Sequence, residues 1–156
     1  NDYPGFLRHR IPEAFRPGPI VDLDPKILGE HQGMDSFTIG QRRGLGIAAP
    51  HPLYVLEIRA EKNEIVVGRS EDLYKKKFIA SDIHLTSIEK VEGPLSLKAK
   101  IRYKHREAEA KLIPLDSEKM EVEFRKAQRA ITPGQAVVFY DGQVVVGGGL
   151  IERVIG

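Results

Sequence analysis

From Leu95 to Lys104 apolar and polar side chains alternate without a break, Leu95, Leu97, Ala99, Ile101 and Tyr103 against Ser96, Lys98, Lys100, Arg102 and Lys104. A period of two is the signature of a strand with one buried face, and no helix can place such a series on one side. Ala108, Ala110 and Leu112 continue the pattern, and Met120, Val122 and Phe124 alternate with Glu121, Glu123 and Arg125. Apolar runs at 137–140 and 144–146 flank Asp141-Gly142, a strong hairpin signal. Short strands at this spacing predict a small antiparallel barrel or sandwich over 74–156.

Upstream, a second β-rich unit is expected over 17–73. Pro17-Gly18-Pro19 breaks the chain, Ile20 to Asp24 reads as a strand, and Pro25-Lys26 makes a turn before Ile27. The run 53–59 alternates with Tyr54, Leu56 and Ile58 on one face, and 65–68 pairs back on it as a hairpin. Residues 1–16 read as a connector with a short helix that Pro12 limits. The start at Asn1 rather than methionine predicts a piece of a longer protein.

With no cysteine among its 156 residues, the chain has no disulfide framework, no zinc-thiolate site and no thiol chemistry of its own. No apolar run approaches the roughly 20 residues of a membrane helix, so the expectation is a cytoplasmic protein with no membrane partner. Net charge is only +2. Its distribution is uneven: over 75–111 ten Lys or Arg stand against five acids, whereas over 1–50 each sign occurs six times.

Two features carry candidate chemistry. The loop Gly40-Gln-Arg42-Arg43-Gly44-Leu-Gly46 lacks the spacing of a nucleotide P-loop and of a dinucleotide fingerprint. Two readings stand open for it: arginines and backbone amides gripping phosphates, or a turn-rich β corner with solvated arginines. The second feature is the predicted basic face of Lys98, Lys100, Arg102 and Lys104, whose repeat of about 6.6 Å is close to the phosphate spacing of a nucleic-acid strand. The other reading is an edge strand protected by lysines. His9, His31, His51, His84 and His105 show no ligand spacing and are read as structural or surface residues. Asp22-Leu-Asp24 is read as a turn, and Gly147-Gly148-Gly149 as a bulge or a close backbone approach, with a close approach of RNA as the other reading.

These segments resemble one family, the tRNA 2-thiouridylases. The resemblance runs from Phe6-Leu7 to Ile151 through Pro17-Gly18-Pro19-Ile20-Val21-Asp22, Gly29-Glu30-His31-Gln32-Gly33, the loop from Thr38 to Ile47, Ile101-Arg102-Tyr103, Gln128-Arg129-Ala130-Ile131-Thr132-Pro133-Gly134-Gln135 and Phe139-Tyr140-Asp141-Gly142. It implies a mainly β chain: a small β-rich central domain followed by a translation-factor-like antiparallel β-barrel, both downstream of a missing N-terminal catalytic domain of the PP-loop class. In that family ATP adenylates the wobble uridine of the anticodon, and a cysteine persulfide delivers sulfur to give 2-thiouridine. The fragment itself would then hold no cofactor and no catalytic residue, with ATP used by the parent enzyme. The implied partners are tRNA, the PP-loop domain and a sulfur donor, either a cysteine desulfurase or a relay protein. Arg102, Tyr103 and Gln135 would contact tRNA, and Arg42 and Arg43 would lie where the central domain meets RNA and the catalytic domain. Leu53 departs from a frequent tryptophan of the family, and Arg125-Lys126 from an acidic-proline pair. A barrel used for protein contacts without RNA binding is the competing expectation. A free-standing enzyme on a phosphorylated small molecule is disfavoured by the missing nucleophile, metal ligands and nucleotide loop.

Overall fold

A computed structural model describes residues 16–102, 106–116 and 118–156. The connector before Arg16, with its expected helix, and Tyr103 lie outside the described residues. The chain separates between Leu73 and Tyr74 into two compact units, both built of strands.

The first unit is a four-stranded sheet in the order β2-β1-β4-β3, formed by β1 (Gly18–Val21), β2 (Ile27–His31), β3 (Tyr54–Arg59) and β4 (Glu64–Gly68). β1 runs parallel to β4, with Ile20 opposite Ile65, while β2 and β3 add antiparallel edges. Ile20, Met34, Leu45, Val55, Ile65 and Val67 form its core. β3 corrects the expected face. Its register shifts between Val55 and Glu57, so Val55, wholly buried, and Ile58 both pack against this core although they are three residues apart. A β-bulge inserts one residue and changes which side chains face inward, which strict alternation cannot anticipate.

His31 is buried in this unit: its Nε2 donates to Asn63 O at 2.8 Å and its Nδ1 accepts from Gly33 N–H at 3.1 Å. Asn63, left-handed at φ 52°, closes the β3–β4 hairpin, and its Nδ2 donates to the carbonyls of Arg16 and Pro17. A side chain at Gly18 would collide with Asn63 O, so glycine there lets β1 and this hairpin corner meet.

The second unit is a closed antiparallel barrel in the order β10-β5-β8-β7-β6-β9. Its strands are β5 (Tyr74–Leu85), β6 (Leu95–Lys100), β7 (Ala108–Pro114), β8 (Met120–Arg129), β9 (Ala136–Asp141) and β10 (Val144–Val154). The predicted inward series is seen: Ala99, Ala110, Leu112, Met120, Val122 and Phe124 are buried together with Phe78, Phe139 and Ile151. Each fully buried large side chain contributes about 1.5–3 kcal/mol, and closure leaves no open edge to aggregate. Gly147, Gly148 and Gly149 serve close backbone packing, since a Cβ on Gly148 would lie 2.7 Å from Val137 O and one on Gly149 2.7 Å from Ser81 O. The Asp141-Gly142 signal is displaced by one residue: Asp141 pairs with Val144, so the two turn residues are Gly142, at φ 61°, and Gln143. A positive φ at the first turn residue alone is the type II′ pattern, which asks for glycine there.

Candidate nucleic-acid interface

The corner between β8 and β9 is under conformational strain. Buried Ala130 has φ 54°, a left-handed conformation that costs an alanine on the order of 1–2 kcal/mol. Its carbonyl is held by two donors. Arg102 Nη2 donates to Ala130 O and, at 2.6 Å, to Arg129 O, and Thr132 Oγ1 donates to Ala130 O at 2.8 Å. The turn that follows is clipped to β10 on both sides: Gly134 N–H donates to Ile151 O and Ile151 N–H to Gln135 O, each at 2.8 Å. Gly134, at φ 91°, supplies the positive φ this geometry needs. The result is a fixed loop on which the Gln135 side chain is exposed.

Arg102 therefore differs from its expected place. β6 ends at Lys100, and Arg102 stands beyond it in a bend, half-buried, with its guanidinium turned to the β8 carbonyls instead of aligned with Lys98 and Lys100. Burial, and then the neighbouring charge of Arg129, hold its pKa below the ordinary arginine value. Its Nη2 is engaged by two carbonyls, and Nη1 and Nε carry the remaining donors of the fork. The neighbouring Tyr103 lies outside the described residues.

The β6 face is not uniformly basic once its neighbours are in place. Lys98 is exposed and sits opposite Glu109 on β7 and opposite Tyr140 on β9. Lys111 on β7 faces Glu123 on β8, and Lys77 Nζ lies 4.0 Å from Glu123. Arg125 Nη1 donates to Glu109 at 2.8 Å. That hydrogen bond, and next the charges of Arg125, Lys98 and Lys126, hold the Glu109 carboxyl below the usual carboxylate range. A groove of about 550 Å³ lined by Lys98, Glu109, Lys111 and Arg125 thus carries both signs. Lys100 is half-buried opposite Val138.

In the first unit, Arg42 and Arg43 are exposed on the 38–47 loop. Gly40, Gly44 and Gly46 are all left-handed, at φ 90°, 78° and 69°, so the glycine spacing is a conformational requirement. Gln41 stiffens the first half of the loop, accepting from Thr38 N–H at 3.0 Å and donating to Arg43 O at 2.8 Å. Sequence reasoning missed this amide, the Arg129–Thr132 corner and the Glu109–Arg125 pair. Only the corner left a local signal, in Thr132-Pro133-Gly134. Among the described residues no cluster of three metal-ligating side chains occurs, and no helix is long and apolar enough to cross a membrane.

Comparison with known proteins follows the same division. Residues 4–69 match a family described as the tRNA methyl transferase PRC-barrel domain, and residues 75–151 one described as the aminomethyltransferase beta-barrel domain. The chain is 47% identical over 153 residues to the tRNA-specific 2-thiouridylase MnmA of Halothermothrix orenii, covering 98% of this chain and 43% of that protein. It is 48% identical over 155 residues to the namesake in Symbiobacterium thermophilum, covering 99% and 40%. For the namesake in Desulfitobacterium hafniense the identity is 49% over 160 residues, covering 97% and 43%. The chain thus spans less than half the length of these relatives.

Proposed function

Because the chain belongs to the tRNA-specific 2-thiouridylase family, we propose that it is the tRNA-holding portion of an enzyme that converts the anticodon wobble uridine to 2-thiouridine. ATP activation and persulfide sulfur transfer belong to the remainder of the protein, in keeping with the absence of any cysteine here. A sulfur-donor protein and a PP-loop domain are the partners this reading requires, and the cytoplasm is the compartment.

The observation that carries the reading is the link from Arg102 to the carbonyls of Arg129 and Ala130. It joins two segments distant in sequence, both implied as RNA contacts by the one family resemblance, into one corner of the barrel. There the Arg102 guanidinium, reaching in from beyond β6, braces the β8–β9 loop that carries the exposed amide of Gln135. Phosphate contacts from such groups position a nucleic acid, while an amide with both donor and acceptor discriminates base or sugar edges. Lys98 and Lys100 add a weaker field, offset by Glu109.

The test is tRNA binding by the full-length enzyme. Arg102→Ala and Gln135→Ala are each expected to weaken binding about tenfold or more and to lower 2-thiouridine formation at limiting tRNA, leaving ATP affinity intact. Unchanged tRNA affinity in both variants refutes the assignment. The competing protein-contact reading draws on the exposed Val144, Val145 and Leu150 of β10. It predicts that charged substitutions there abolish activity without altering tRNA affinity.

A further inference from the structure

The 38–47 loop is divided in its hydrogen bonding. Its first half is saturated: Gly40 N–H donates to Val55 O at 2.8 Å, Val55 N–H to Gln41 O at 2.9 Å, and Gln41 N–H to Thr38 O at 3.0 Å. The Gln41 side chain adds its two bonds, to Thr38 N–H and Arg43 O. From Arg42 to Gly46 the amides meet no acceptor among the described residues. The Gln41 side chain anchors the segment on one side, and Leu45 within it is buried in the core of the unit.

Gly44 and Gly46 have φ of 78° and 69°, whereas Leu45 between them is not left-handed. Where right- and left-handed residues alternate, successive N–H groups can turn toward one concavity, a backbone nest suited to an anion. A Cβ on Gly46 would meet nothing within 4 Å, so glycine is present there for its φ, and the approach to the backbone is open. Arg42 and Arg43 flank the nest, and neither has a carboxylate partner among the described residues. Arg42, Gly44, Gly46 and His51 line an open groove of about 580 Å³.

We propose that this loop is a phosphate-binding site, with the amides of 43–46 and the guanidinium of Arg42 gathering around one phosphate group. Several unpaired N–H donors close together in the chain, with added positive charge, match the oxygens of a phosphate better than the two of a carboxylate. The phosphate belongs either to an RNA backbone or to a free phosphate compound. The site is independent of the barrel corner, so either assignment can fail alone.

The isotope-labelled chain would be titrated with inorganic phosphate and, separately, with a short single-stranded oligoribonucleotide, at ionic strength held constant with chloride. The amide resonances of Gly44 and Gly46 are expected to shift and saturate with at least one of the two probes. Saturation with inorganic phosphate assigns the site to free phosphate compounds as well, and saturation with the oligonucleotide alone assigns it to an RNA backbone. The response should disappear in the Arg42→Ala, Arg43→Ala double variant and persist in Lys90→Ala, which removes a cation from an exposed pair with Glu92. Gly46→Asn, which tolerates a positive φ, should retain it, and Gly46→Val should lose it. Absence of a saturable shift with both probes overturns the proposal, as do equal shifts with chloride or a response that survives loss of both arginines.

Discussion

Lys98 and Glu109 face each other across β6 and β7, and Glu109 also accepts a hydrogen bond from Arg125 at 2.8 Å. The lysine charge is thereby partly cancelled at the barrel surface, where exposed pairs are worth little to stability but still shape the local field. Lys98→Ala is expected to change tRNA affinity of the full-length enzyme less than about threefold. Glu109→Gln should act in the opposite direction, tightening binding and steepening its salt dependence, because it unmasks Lys98 and Arg125. Filter binding across a salt series checks both, and a large loss from Lys98→Ala would show that the lysine contacts phosphate despite its neighbour.

Arg102 is expected to be structural and RNA-facing at once. Removing its Nη2 leaves the carbonyls of Arg129 and Ala130 without a charged donor, so Arg102→Ala should destabilise the chain by about 1.5–3 kcal/mol in denaturant unfolding. If Nη1 or Nε also meets phosphate, the salt slope of tRNA binding falls by up to about one unit. Arg102→Lys separates the roles: an ammonium restores charge toward phosphate but not a fork able to hold two carbonyls while presenting further donors. Retained slope with reduced stability in Arg102→Lys, and loss of both in Arg102→Ala, is the expected pattern.

What the sequence revealed depended on whether the deciding contact lay along the chain or across it. The inward faces of β6, β7 and β8 follow from period two alone: Ala99, Ala110, Leu112, Met120, Val122 and Phe124 are buried, and Leu95, Leu97 and Ala108 pack half-buried against them. The outer face of β6 could not be judged that way, because Glu109 and Arg125 come from other strands. Arg102 escaped the alternation because β6 stops at Lys100. The bulge in β3 reversed the face of Val55 for a comparable reason: an inserted residue has no compositional mark. The glycine loop was legible as a loop, but the Gln41 amide that stiffens it, and the N–H groups that follow without an acceptor among the described residues, are visible only once φ signs and partners are known.

Acid should weaken the barrel through identifiable carboxylates. Asp116 accepts backbone N–H bonds from Glu118 and Lys119, each at 2.8 Å, which hold its pKa below the ordinary 3.8. Glu109 is held below the ordinary 4.5, first by its hydrogen bond from Arg125. A folded pKa below the unfolded one means stability that is fully present above the unfolded value and lost as pH falls through the folded value. Thermal unfolding of the chain should therefore show a midpoint that declines from about pH 4.5 downward. Asp116→Ala should lower the midpoint at neutral pH and flatten that acid limb. An acid limb unchanged by both Asp116→Ala and Glu109→Gln would place the acid sensitivity elsewhere.

Glycine positions give the sharpest stability contrast, because a side chain added at Gly147 within β10 would meet backbone, whereas one added at Gly93 in the bend before β6 would meet open space. At Gly147 a Cβ would collide with His84 O and come within 3.0 Å of Leu85 Cα, both backbone atoms of the neighbouring β5 strand. Those atoms cannot swing aside as a side chain would. Gly147→Ala must push β10 from β5 and loosen the barrel, at an expected cost of about 2–3 kcal/mol. At Gly93 a Cβ would meet nothing within 4 Å, and its φ is outside the left-handed region. Gly93→Ala should leave stability unchanged or raise it by about 0.4–1 kcal/mol, through reduced freedom of the unfolded chain. Denaturant unfolding of both variants checks the contrast, and equal stabilities would mean that the approach of β10 to β5 at Gly147 is looser than the barrel geometry requires.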